Sequence, residues 1–314
     1  MGGRAVAAAC HAEPHGAHQA RRGMTAGSLL ATWAWDPIPT VGVLLAALLY
    51  GLAWRRVPGG ATRTWSRPAC FGLGLLAVLV AVDGPPDALS ESSFSAHMVQ
   101  HLLLQLVAAP LLLLGGPVSL VLRADPPWCR RRIVVRVLRS TGLRVVTHPV
   151  TAFSLFAVVL VGSHLTPLYE IALGSERVHQ LEHVAYLATA LLFWWPALGI
   201  DPAPHRLTMP ARLLYLFLAM PLSALLGASI ALTDRVLYAH YVTDLPPWGA
   251  SALADQHAAG TLLWISGMFT IVPAMAAVLW RWLEQEGARE QRRESLRAHR
   301  GRVIVPAEHG AGAR

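Results

Sequence analysis

Two short blocks carry residues capable of chemistry. The stretch FSAHMVQH places His97 and His101 four residues apart, with Met98 between them, and RVHQLEH places His179 and His183 at the same spacing, with Glu182 between them. On an α-helix, residues four apart differ by about 40° in direction and about 6 Å in height. Each pair therefore shares a face. Imidazole is a ligand for copper, zinc, iron and nickel, and a thioether such as Met98 biases a site toward cuprous copper. Glu182 borders the second pair, where it would orient a ring nitrogen from behind. The two matched pairs offer up to four imidazoles to one ion. His164, His240 and His257 stand singly. A lone histidine at the end of an apolar helix more often bonds water or a backbone carbonyl, and His164 and His257 are further candidate ligands only because of their depth.

The elements that position these residues are apolar. Of 314 residues, 54% are hydrophobic and 14% charged, against about a quarter charged in soluble domains. Runs of about 20 apolar residues predict an all-α, polytopic membrane bundle of seven helices, near 38–54, 68–83, 94–115, 148–165, 178–198, 210–232 and 256–280. All 26 basic residues are arginine, so no Schiff base can form on a lysine and a retinal-linked pump is excluded. The arginines sit in alternate connections. Arg55, Arg56, Arg63 and Arg67 follow the first span, seven follow the third between Arg123 and Arg144, and more fill the C-terminal tail, while acids dominate the other loops. Positively charged loops stay cytoplasmic, so the N-terminus is expected outside and the C-terminus inside. That distribution also speaks against nucleic acid as the partner. With this direction, His97, His101, His164, His179, His183 and His257 all lie at the outer level, and His148 and His205 at the inner one. Pro110, Pro221 and Pro273 fall within spans and are expected to kink them.

The expected organisation is an extracytoplasmic tail over 1–35, a membrane domain over 36–283 and an arginine-rich cytoplasmic tail over 284–314. Residues 1–23 have no apolar core of a signal peptide, and Met24 offers an alternative start. HAEPHGAH (11–18) reads as part of an unstructured leader rather than a metal trap. CRRRIVVRVLRSTGLR (129–144) reads as an interfacial anchor in preference to a docking site. Cys10, Cys70 and Cys129 are scattered and suggest neither a disulfide framework nor a thiolate metal site. No nucleophile with its base, and no pair of carboxylates set for acid–base work, is evident, so no enzyme is expected.

FSAHMVQHLLLQLVAAPLLLLGGP, HLTPLYEIALGSERVHQLEHVAYLATALLFWWPALG and DQHAAGTLLWISGMF together resemble the CtaG-like cytochrome c oxidase assembly factors of bacteria, over roughly residues 33–283. The resemblance implies a seven-span plasma-membrane protein that matures a haem-copper oxidase, with copper delivered to the catalytic subunit. It carries over His97, Met98, His101, His179 and His183 as the matching polar positions, with Asp255 and Gln256 opening the last span. His257 and Leu263 depart from the family pattern, which has a non-histidine and a methionine there. Read from the residues, an outer-face His/Met site without thiolate suits an ion taken from an extracytoplasmic carrier and passed sideways in the bilayer. Asp83 and Glu182 stand as supporting acids. Two other readings use the same residues. A b-type cytochrome would use His101 and His183 as axial ligands, although its electron path needs histidines at both depths. A copper transporter would need a polar path, for which only Gln105, Ser154, Ser223 and the methionines Met220 and Met268 are available.

Overall fold

Apolar runs separated by charged connections should fold as helices, because lipid satisfies no backbone polar group. The computed structural model describes Trp33 and residues 35–57, 64–124 and 134–303, with side chains to 297, and every regular element among them is helical. The leader with HAEPHGAH and Met24, the arginine-rich residues 125–133 and the last residues of the tail lie outside the described residues.

Helix α1 (Pro37–Arg56) starts where its sequence says a helix should. The Asp36 carboxylate accepts from the Ile38 amide at 2.9 Å and Pro37 takes the first turn, where a missing N–H costs nothing. Helix α2 (Ser66–Val82) ends at Asp83. That carboxylate accepts from the Asp36 amide at 2.9 Å and from the Thr40 hydroxyl at 2.7 Å, so Asp83 fastens the start of α1 to the end of α2. A reversal at Gly84 leads into α3 (Pro85–Ser90), and a Cβ at Gly84 would stand 2.4 Å from the Val80 carbonyl oxygen. Helix α4 (Phe94–Leu102) passes into a π-helical stretch, Leu103–Ala108, and then into α5 (Ala109–Leu114). Shorter helices α6 (Pro117–Ala124), α7 (Val135–Leu138) and α8 (Thr141–Val146) lead to α9 (Pro149–Leu165) and α10 (Leu168–Leu173). Then come α11 (Glu176–Leu198), α12 (Met209–Ala231), α13 (His240–Thr243) and α14 (Ala252–Val303).

All seven segments read as spans from the sequence are helical. Among the described residues, five stretches are long and apolar enough to cross a membrane: Pro37–Arg56, Ser66–Ser90, Phe94–Ala124, Met209–Ala231 and Ala252–Arg297. The chain is a multi-pass membrane protein. Helix α9 is apolar but only 17 residues long, and α11 opens with Glu176, Arg177, His179, Glu182 and His183, which lower its hydropathy. Helix α14 runs on past 284 without a break to Val303, and along it Glu286 pairs with Arg289 at 3.3 Å. The basic stretch 129–144 is not one helix in its described part, because Ser140 interrupts it by capping α8.

Pro110 has its effect upstream as a register change. In the π stretch the Ala109 amide bonds the Leu104 carbonyl, five residues back. The next bond of that pattern would join Gln105 to the nitrogen of Pro110, which has no hydrogen. The Trp194 indole N–H fills the gap, donating to the Gln105 carbonyl at 2.8 Å. Elsewhere α12 and α14 touch backbone to backbone: a Cβ at Gly227 would stand 2.4 Å from the Trp264 nitrogen, and one at Gly260 2.4 Å from the Ala231 nitrogen. Small residues permit that approach in membrane bundles.

Candidate metal centre

Helix α4 carries the first histidine pair, and its start is fixed from two sides. The Ser93 hydroxyl accepts from the Ala96 amide at 3.1 Å and donates to the Asp255 carboxylate of α14 at 3.2 Å. The Ser95 amide and hydroxyl also donate to Asp255. Asp255 therefore sets the angle at which α4 begins, one turn before His97. Neighbouring Gln256 clamps the connection from α12, accepting from the Leu237 amide at 2.7 Å and donating to the Arg235 carbonyl at 2.9 Å.

On this footing the two pairs meet. His97 and His101 are buried, and their Nε2 atoms lie 2.9 Å apart. Nitrogens that close either share a proton or face one cation. Glu182 Oε2 of α11 is 3.8 Å from His97 Nε2 and 3.9 Å from His101 Nε2, and neither of its oxygens has a hydrogen-bond partner. The circle through these three atoms, whose separations are 2.9, 3.8 and 3.9 Å, has a radius of about 2.1 Å, the length of a metal–imidazole or metal–carboxylate bond. A buried carboxylate without donors is costly, and a cation at that point would offset the cost. Glu182 thus faces the two Nε2 atoms directly, rather than standing behind a ring as its spacing alone suggests. His183 completes the set: His97, His101 and His183 each bring one ring nitrogen, all within 4.8 Å of one another. His183 Nε2 is buried and unpartnered.

His179 flanks this group, its ring centroid 4.9 Å from that of His97 and 4.2 Å from that of His183. His164 lies behind His101 at 6.1 Å between ring centroids. Its Nδ1 donates to the Leu160 carbonyl at 2.8 Å, which leaves Nε2 buried with a free lone pair. Met98 is buried in the apolar core. His257 is not brought to the cluster: its Nε2 lies 3.0 Å from the Thr233 carbonyl, the ordinary fate of a lone histidine at a helix end. Asp83 serves α1, as described above. Met268 is 62% exposed on the outside of the bundle, so it lines no internal relay with Met220. His148 and His205 pair at the opposite end of α9, 4.9 Å between ring centroids.

Sequence reasoning missed the aromatic lid and one acid. Tyr169 lies against His97 with 4.9 Å between ring centroids and packs in one aromatic cluster with Phe94, Tyr238 and Tyr241, and Tyr186 lies flat on His101 with 4.0 Å between centroids. The Tyr241 hydroxyl donates to the Ser90 carbonyl at 2.8 Å and stands 3.4 Å from His97 Nδ1. Burial pushes the Tyr169 and Tyr241 phenols well above their ordinary range. The acid is Asp87, which joins His179 and His183 in a second group of donors within 4.8 Å. The tyrosines of HLTPLYE and VLYAHYV were the legible signal for the lid.

Helical architecture and a buried cluster of imidazoles around a carboxylate define a multi-pass membrane protein with a buried group of side chains that could hold a metal ion. Residues 48–285 match the cytochrome c oxidase caa3 assembly factor family, and the chain belongs to that family. It is 30% identical over 273 residues to an uncharacterized protein of Mycobacterium bovis and to one of Mycobacterium tuberculosis, covering 83% of this chain and 41% of each relative. A Mycobacterium leprae protein is 30% identical over 268 residues, covering 81% of this chain and 40% of its own. The chain thus spans about two fifths of the length of these curated relatives. No solved structure matches it.

Proposed function

We propose that this protein binds copper as cargo at His97, His101, His183 and Glu182 and passes it to the catalytic subunit of a haem-copper cytochrome c oxidase in the same bilayer. The observation that carries the reading is the single point about 2.1 Å from both Nε2 atoms and Glu182 Oε2, a fit to a first-row metal. Imidazole and carboxylate donors without thiolate suit an ion that must be released again. Family membership supplies the client, since the match is to oxidase assembly factors. The close approach of His97 and His101 on one helix favours a small ion over haem, whose axial ligands come from opposite faces.

In this reading all seven helices cross a bacterial plasma membrane, with the N-terminus outside. Copper arrives from an extracytoplasmic carrier, and no bond in a substrate is made or broken. His179 and His164 border the cargo, and His257 takes no part.

Copper content of the detergent-purified chain tests this. At least one copper per chain is expected in the wild type and none in His97→Ala with His101→Ala. Equal copper in both, or a Soret band from the purified protein, refutes the reading. Cells lacking the protein should lose the visible signature of the oxidase copper–haem centre.

A further inference from the structure

A cavity of ≈ 970 Å³ lies between α1, α2 and α11. His97 and His101 do not line it, whereas His179, His183 and Asp87 do. His183 is therefore the one ring of the deep triad that also faces the cavity. Four acids line the same cavity, Asp36, Asp87, Glu91 and Glu176, and no arginine does. In a chain whose charged residues are mostly arginine, that is a local reversal of sign. A low-dielectric cleft lined by one sign of charge concentrates counter-ions.

The donors are also in place. Asp87, His179 and His183 each offer one atom, all within 4.8 Å of one another. His179 and His183 are 9% and 7% exposed, and the Nε2 of each is buried without a partner. Asp87 is held in position through one oxygen, Oδ1, which accepts from Gln100 Nε2 at 2.7 Å, one residue from His101 on α4. Its Oδ2 remains available.

We propose that Asp87, His179 and His183 form a capture station for a divalent first-row cation entering through the acidic cavity, and that the ion moves from it to the deep site while His183 stays bound. This rests on the reading of His97, His101, His183 and Glu182 as a cation site. The transfer is a ligand exchange: the bonds to Asp87 and His179 break as bonds to His97, His101 and Glu182 form, with no change of oxidation state. One carboxylate with two imidazoles suits a divalent ion delivered from water, and the inner set holds it more deeply.

Stopped-flow mixing of the full chain in detergent with Cu(II)–glycine tests the station, read by quenching of tryptophan fluorescence, since Trp195 lines the cavity. Wild type should load in two phases, capture and then transfer. Asp87→Asn keeps an acceptor for Gln100 but loses the charge; it should lose the fast phase and load at least tenfold more slowly to the same final copper content. His179→Gln should behave alike. His97→Gln with His101→Gln should keep the fast phase and lose the slow one. Loading of Asp87→Asn within twofold of wild type overturns the station and leaves the deep site standing, and so does loss of all binding by that variant, which would place Asp87 in the deep set. A slow phase that survives in the double histidine variant sinks the deep site instead.

Discussion

Replacing Glu182 by glutamine leaves the side chain's shape but removes its charge. Oε2 is 3.8 and 3.9 Å from the two Nε2 atoms, which places a shared ion about 2.1 Å from the oxygen. At an effective dielectric constant near 20, unit charges at that separation attract by about 8 kcal/mol. Most of this is offset by the desolvation of carboxylate and ion. A net loss of about 10–100-fold in affinity, about 1.4–2.8 kcal/mol, is expected, in line with other tuned metal sites. The variant should also fold at least as well without metal, because neither carboxylate oxygen has a partner and a neutral amide is cheaper to bury. Competition against a chelator of known copper affinity measures the first effect and thermal unfolding of the metal-free protein the second. X-ray absorption at the copper edge should show one light-atom scatterer fewer near 2 Å. An affinity within twofold of wild type, or a metal-free protein markedly destabilised by the change, would refute the placement of Glu182 at the ion.

Other substitutions probe the scaffold. Trp194→Phe leaves the Gln105 carbonyl without its donor and should destabilise the protein by about 1–3 kcal/mol, seen as a lower melting temperature in detergent. Gly260→Ala puts a methyl 2.4 Å from the Ala231 nitrogen, so α12 and α14 must part, at about 1–3 kcal/mol; unchanged melting would show that the helices do not meet there. His257→Ala removes only the bond to the Thr233 carbonyl, and copper content should stay the same, whereas loss of one copper per chain would return His257 to the site.

Much of this was legible in the residues. The seven helical segments follow from apolar runs, and the meeting of His97, His101 and His183 follows from two HxxxH pairs at one depth. What stayed hidden depends on long-range placement. Asp87 reads as a loop acid in PPDALS, and only the reversal at Gly84 and the bond from Gln100 turn it toward α11. Glu182 was visible beside His183, but its role required knowing that α4 and α11 present the same ends to each other. His257 was a candidate by depth alone, and in the structure the Thr233 carbonyl of the preceding loop lies 3.0 Å from its Nε2. Asp255 was recognised as important by likeness, while its hold on Ser93 and Ser95 spans about 160 residues of chain and no local pattern encodes it.

The π stretch between His101 and Pro110 works as an indexing device. It holds one residue more than an uninterrupted α-helix would need to reach the same proline. Shortening it by a single amino acid would let the hydrogen bonds close in the ordinary register, and the segment before it would turn by about 100° and shift by about 1.5 Å. His97 and His101 would then swing off the face that meets Glu182, with every donor still present in the chain. Such a deletion would leave the donors in the chain but out of register, so for the proposed copper site the length of this stretch matters as much as the identity of any ligand.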